Sequence, residues 1–262
     1  MPTLLFYKNP IALNGQLHKD LKYVPENETY SYAKDTNSVI LAGVEFIEAC
    51  KEYPIVFTRA ANGVAVPAVV LGVTSDQNLF VDASGKWDAR YIPAFVRRYP
   101  FVLAESGEAG SETLTVCIDS DYPGFSTKRG EALFTKKGEQ TELLTNTMNL
   151  LQAYHQQTKR TAEMMALLDE HQLLRPMNMR MELTRGDKFA LENLLVVDEA
   201  KLADLSPEVI KTLMTQGYMG WIYSHLISLS NFARLLDRVN AQPAAETDKP
   251  KKAEETIAIE RV

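Results

Sequence analysis

Cysteine is scarce in this chain of 262 residues: only Cys50 and Cys117 occur. That excludes a disulfide scaffold, and without a Cys-x-x-Cys pair it excludes the common zinc and dithiol motifs. A basic excess is missing as well. Asp and Glu number 34 against 28 Lys and Arg, a net charge of −6, whereas a dedicated nucleic-acid binder needs cations to meet the phosphates. Long apolar runs are also lacking. The stretch 217–229 is 13 residues with His225 inside it, short of the roughly 20 that cross a bilayer. The first apolar run is four residues with no basic cluster before it, so no secretory leader is expected. The expected location is the cytoplasm, with export by a route lacking such a signal left open.

Catalytic signatures are missing too. Gly-x-Gly-x-x-Gly and Walker-type loops do not occur, and neither do Gly-x-Ser-x-Gly or Ser-x-x-Lys, so standard dinucleotide, P-loop and serine-nucleophile enzymes are disfavoured. His18, His155, His171 and His225 stand far apart without ligand spacing, and no motif calls for a metal or a cofactor.

What is present is an ordinary globular balance of 45% hydrophobic and 24% charged residues. The charge is spread evenly, at −3 for residues 1–130, −2 for 131–240 and −1 for the rest. From Ala241 on, two prolines, no aromatic residue and nine charges in 22 residues predict a disordered tail over 240–262. Residues 1–239 are expected to form one globular unit, with a possible division into a β-rich lobe (1–130) and a helix-rich lobe (131–239).

The predicted fold class is α+β, with a mixed or antiparallel sheet of short strands in the first half. A helix containing Val44, Phe46, Ile47 and Cys50 precedes a strand at 54–58. Residues 64–73 read as a strand in which Pro67, lacking an amide donor, indicates an edge or a strand start. Further strands are expected at 78–82, 101–103 and 114–118, and a helix of about two turns between Pro93 and Pro100. In the second half, Leu144, Met148, Leu151, His155, Thr158, Ala162, Met165 and Leu168 recur at helical spacing. They predict a long helix within 139–174, with a possible bend at 156–160. Met177, Met179 and Met181 alternate as on a strand, with residues 189–197 as partner. Ser206-Pro207 starts a helix that Gly217 ends. A last helix is expected over 218–239, its stripe of Ile222, Leu226, Leu229, Phe232 and Leu236 serving as core or as a face for a protein partner or a second copy.

Some features invite chemistry and have a plainer reading. The Met-x-Met-x-Met run suits Cu(I), but three apolar residues on one strand face produce the same spacing. Asp119 and Asp121 could act as paired carboxylates, yet they also suit a turn before Pro123-Gly124. Cys50 and Cys117 read as small buried residues. The densest feature is residues 87–101, with five aromatics, two prolines and three arginines in 15 positions. Trp87, Tyr91, Arg97 and Arg98 could form the walls and cationic grip of a site for a small anionic ligand. Alternatively, the aromatics anchor a short helix on the sheet and the arginines cover its rim.

The same segment, Tyr91-Ile92-Pro93-Ala94-Phe95-Val96-Arg97-Arg98-Tyr99-Pro100-Phe101 after Trp87, resembles the signature stretch of the bacterial SapC family. Glu45-Phe46, Tyr53 to Phe57, Asn78 to Asp82, His18, Ile118-Asp119, Leu133-Phe134, Gly138-Glu139, Val197-Asp198-Glu199 and Ile222 to Leu229 carry the likeness further. It extends over residues 1–239. The resemblance implies an association with the bacterial surface layer or nutrient uptake and no established reaction. Some members are called permease components, which a chain without a bilayer-length apolar run does not support. The lattice subunit itself is not implied either. Members are often encoded near halogenase-like and cupin-like proteins and outer-membrane receptors. The expected function is that of a non-enzymatic accessory protein that binds a partner. The alternative is an enzyme or enzyme relic with a pocket near Trp87 and Arg97.

Overall fold

The computed structural model describes residues 5–24, 29–107, 113–183 and 188–241. The tail expected beyond residue 241 lies outside them. The elements run in the order β1 (Pro10–Ala12), β2 (Lys22–Tyr23), β3 (Ser38–Ile40), α1 (Phe46–Ala49), β4 (Ile55–Arg59), β5 (Ala65–Val70), α2 (Ala94–Arg97), β6 (Phe101–Ser106), β7 (Thr113–Asp119), β8 (Phe125–Ser126) and β9 (Glu131–Ala132). The helical half follows with α3 (Glu142–Glu170), β10 (Leu174–Glu182), β11 (Lys188–Val197), α4 (Glu199–Ala203), α5 (Pro207–Thr215), α6 (Tyr218–Ser228) and α7 (Asn231–Ala241). All strand pairings are antiparallel among these elements, so the fold is α+β.

A five-stranded sheet has the order β10-β11-β4-β5-β3, and three-stranded sheets have the orders β1-β7-β6 and β8-β2-β9. The pairing of Leu195 with Phe57 joins the second half of the chain to the first within one sheet. The larger core covers this sheet with α6, α7 and the later turns of α3. A smaller one gathers Phe101, Ile118, Leu133, Phe134, Leu144 and Leu151 beneath the first turns of α3. The α3 helix is about 44 Å long at 1.5 Å per residue and packs on both. Its N-cap Thr141 hydroxyl accepts from the Leu144 amide, as Ser206 does from Val209 at the start of α5.

Several expectations change. Pro67 lies two residues inside β5, which is flanked on both sides by β4 and β3. Its carbonyl accepts from the Leu41 amide at 3.0 Å, so its donorless nitrogen faces that same side, beyond the end of β3 at Ile40. The reciprocal bond to the Leu41 carbonyl is the one the proline cannot make, and the β3 ladder ends there. Residues 78–82 do not form a strand. Val81 makes one isolated bridge to Trp87, while the Asn78 side chain donates to the Ala33 carbonyl and accepts from the Phe80 amide. The helix before Pro54 shrinks to α1 with a 3-10 turn at Gly43–Glu45.

The last helix breaks between Ser228 and Asn231. There the Asn231 side-chain Nδ2 donates to the carbonyls of Cys50 and Tyr53 and ties the start of α7 to the segment after α1. Of the stripe expected as core or partner face, Ile222 and Phe232 belong to the core, while Leu226, Leu229 and Leu236 are half-buried against it.

Two buried contacts lock α6 to the rest. A Cβ added at Gly43 would lie 2.2 Å from the Trp221 ring, so the backbone packs directly on the indole. The fully buried His225 accepts from the Val197 amide at Nε2 (3.1 Å), leaving Nδ1–H to donate to the Ile55 carbonyl (2.8 Å). Burial lowers its pKa from 6.5 to about 4.

Gly43→Ala should therefore destabilise the fold by about 1–3 kcal/mol, since a rigid ring cannot swing aside. Denaturant titration would read this as a lower midpoint. His225 adds a pH signature. Its contribution is complete above about pH 6.5, because there neither state is protonated. It falls as pH drops toward about 4, because the unfolded chain takes up a proton that the folded one refuses. Between about pH 7 and about pH 4.5 the loss should be roughly 2 kcal/mol. His225→Gln, although less stable at neutral pH, should show a correspondingly flatter dependence.

A candidate ligand cavity

Residues 87–101 build a frame before they build a site. The Trp87 indole donates to the Tyr53 hydroxyl at 2.8 Å, which donates in turn to the Tyr91 carbonyl. The Tyr91 hydroxyl donates to Glu45 Oε1 at 2.6 Å, and the Ala94 amide reaches the same oxygen at 2.7 Å. Glu45 Oε2 accepts from the Ala42 amide. The buried Glu45 carboxylate thus holds the first amide of α2, compensating part of its own burial. Phe95 is buried beneath α2. Exposed Arg97 lies over the Tyr91 ring and donates to the Ile92 carbonyl.

One residue past α2, Arg98 is directed differently. It is only 8% exposed, with its guanidinium carbon 4.2 Å from the Phe95 ring centre and 5.3 Å from that of Tyr154. Its Nε and Nη2 atoms are buried without a hydrogen-bond partner among the described residues, while the guanidinium also meets the Tyr7 hydroxyl. Among the described residues it forms no ion pair. It lines a cavity of about 840 Å³. The walls come from the end of β3 (Ile40, Leu41), from Val64 to Pro67 at β5, and from β6 (Val102 to Glu105), with Cys117 of β7 and Pro10 of β1. The roof is one face of α3, formed by Leu151, Tyr154, His155, Thr158, Thr161, Ala162 and Met165. The cavity therefore lies between the β1-β7-β6 sheet and the β3 edge of the large sheet.

The lining is mainly aliphatic, with polar groups at defined places. Burial raises the phenol pKa of Tyr154 above its ordinary range, partly opposed by the Arg98 charge. Tyr7, whose hydroxyl donates to the Phe101 carbonyl at 2.7 Å, is raised by burial and likewise opposed by Arg98. Glu105 carries the mouth charge, 3.8 Å from His155 Nε2 and 3.6 Å from Lys159 Nζ. The Cys117 thiol is half-buried rather than fully buried, and desolvation raises its pKa. Cys50 is also half-buried, outside this cavity.

Of the four residues expected to bind a ligand, the structure places Arg98 on the cavity. Trp87, Tyr91 and Arg97 sit in the supporting frame. The α3 residues were hidden as site residues because their spacing is that of any core stripe. The signal was His155 and Thr158, two polar residues inside an otherwise apolar series.

Asp119 belongs to the framework. It is fully buried, and its carboxylate accepts from the amides of Lys8, Asn9 and Asp121 and from the Tyr99 hydroxyl. Met181 of the Met-x-Met-x-Met run is buried, with Met177 and Met179 packed partly against the core. Among the described residues no cluster of three His, Cys, Asp or Glu side chains could hold a metal ion. No described helix is long and apolar enough to cross a membrane.

No curated protein and no solved structure gives a significant match to the chain. The model of one family, SapC, matches residues 13–235, a span that includes Glu45, the 87–101 frame, Arg98 and all the cavity-lining residues except Pro10. This chain belongs to the SapC family.

Proposed function

We propose that this chain is a non-enzymatic binding protein that holds a small anionic amphiphile in the cavity under α3, with Arg98 as the anchor. The reading is carried by the buried Arg98 guanidinium on the cavity, two of whose nitrogens find no acceptor among the described residues. Taking a cation out of water costs several kcal/mol unless an anion or a set of acceptors replaces the lost hydration. Here the stacked rings of Phe95 and Tyr154 recover part of that cost. Nε and Nη2 lack an acceptor among the described residues, so an anion reached by a rotation of the side chain would supply what they lack. The aliphatic walls suit the apolar remainder of the ligand. Trp87, Tyr91 and Arg97 serve the site from behind by fixing α2. Such a protein fits an accessory role in cell-envelope or nutrient-uptake biology, where capture of an amphiphile requires no chemistry.

Anilinonaphthalene sulfonate, one sulfonate on an apolar ring system, tests the reading. It should bind and slow alkylation of Cys117 in Cys50→Ser protein. Arg98→Met should weaken that binding roughly ten- to a hundredfold, the worth of one charge-assisted contact. The same substitution should raise the stability of the ligand-free protein by about 1 kcal/mol, because it removes a buried charge whose lost hydration is only partly replaced. Equal binding by Arg98→Met, or no protection of Cys117, would overturn the proposal.

A further inference from the structure

The outward face of α6 has a composition that packing within the chain does not account for. Gly220 stands in the first turn of this helix, where glycine weakens a helix relative to alanine. A Cβ added there would meet nothing within 4 Å among the described residues outside its own helix. No close contact inside the chain therefore calls for the missing side chain. Tyr223 stands one turn further on along the same exposed face, and Ile227 one turn beyond that. From Tyr218 to Leu229 there is no Asp, Glu, Lys or Arg.

A second exposed ridge runs beside this one. Gly43 packs on the Trp221 ring and the Cys50 thiol meets the Ser224 hydroxyl, so the stretch from Gly43 to Cys50 lies along α6. Val44 and Ile47 are its exposed apolar residues. With Tyr223 and Ile227 they are each 48% to 64% exposed. The four show roughly 400 Å² of mainly apolar surface, a size at which a single patch on a monomer is often functional. Homodimer interfaces are about 65% apolar. With its polar rim the patch thus makes about 600 Å² per copy, above the roughly 500 Å² that a specific interface needs. The exposed charges beside Ile47, those of Glu48 and Lys51, pair with each other at 2.6 Å. A chain of net charge −6 can therefore meet a copy of itself here without like charges opposing.

We propose that two copies of this chain associate through α6, the helices crossing antiparallel about a two-fold axis between Gly220 and Tyr223, with Val44 and Ile47 closing the sides. The face is self-complementary, because its gap and its largest projecting ring lie three residues apart, about 4.5 Å along the helix axis. Antiparallel pairing sets the Tyr223 ring of each copy in the gap at Gly220 of the other. An isologous contact of this kind closes on itself and stops at the dimer.

Sedimentation velocity on the full-length protein should show a reversible dimer in the micromolar range. Gly220→Leu fills the gap where the fold has room for a side chain, and Ile227→Glu puts like charges into the contact. Each should weaken dimerisation at least tenfold. The thermal midpoint of Gly220→Leu, measured where it and the parent are both monomeric, should stay equal or rise. Tyr223→Ala should weaken the dimer as well. A parent protein that stays monomeric into the millimolar range overturns the proposal, whether the face is bare or kept for a different protein. A dimer insensitive to both Gly220→Leu and Ile227→Glu overturns it too, since the interface then lies elsewhere. Should either variant fail to fold, the other decides.

Discussion

The Glu45 carboxylate is the tie on which the candidate site depends. A charged group this deeply buried persists only when its oxygens are met, and here the Ala42 and Ala94 amides and the Tyr91 hydroxyl meet them. Those three contacts join the exit of β3, the first turn of α2 and the loop before it. The backbone of α2 is short, at four residues, and would have little stability of its own. Held by Glu45 at its start and by Phe95 beneath, it delivers Arg98 to the cavity. The two buried charges nevertheless do not pair among the described residues. One is saturated by hydrogen bonds from the protein, and the other has two donors that no described residue meets.

The long α3 helix has two roles on different stretches. Leu144 belongs to the small core and Met164 and Leu168 to the large one. Between them, the same inward face roofs a cavity in place of solid packing. The cavity is partly open to solvent at Val64 and Glu105, so it is a cleft that a ligand could enter from outside. Thr161 shows the division on one side chain: its hydroxyl accepts from the Gly43 amide and bonds back to the Gln157 carbonyl, while the residue lines the cavity.

Much of the fold was legible because local signals there are strong. Ser206 marked the start of α5, the eight-residue stripe marked α3, and the alternating methionines marked β10 beside β11. Failures fell where tertiary partners outbid local preference. Asn78 to Asp82 has strand-like composition, yet Asn78 spends its side chain on the Ala33 carbonyl and the segment finds no neighbour for a ladder. Nothing in 229–231 resembles a stop signal. The break there comes from Asn231 reaching Cys50 and Tyr53, some 180 residues earlier in the chain. Of the two readings of Pro67, the edge strand fails because β5 is flanked on both sides, while a place near the strand start holds, where the β3 ladder ends.

The sequence by itself determined the α+β class, the α3 helix, the β10–β11 pair, the start of α5 and the family likeness, since each rests on periodicity, a cap or a contiguous run of residues. It also marked 87–101 as exceptional without separating Arg97 from Arg98. That separation was decided only by the tertiary structure. Two adjacent arginines at the end of one helical turn point to different sides, one over Tyr91 toward solvent, the other between Phe95 and Tyr154. Tyr154 comes from a helix more than 50 residues later. Whether an arginine is a solvated rim or a buried, partly met cation depends on what the rest of the chain brings to it.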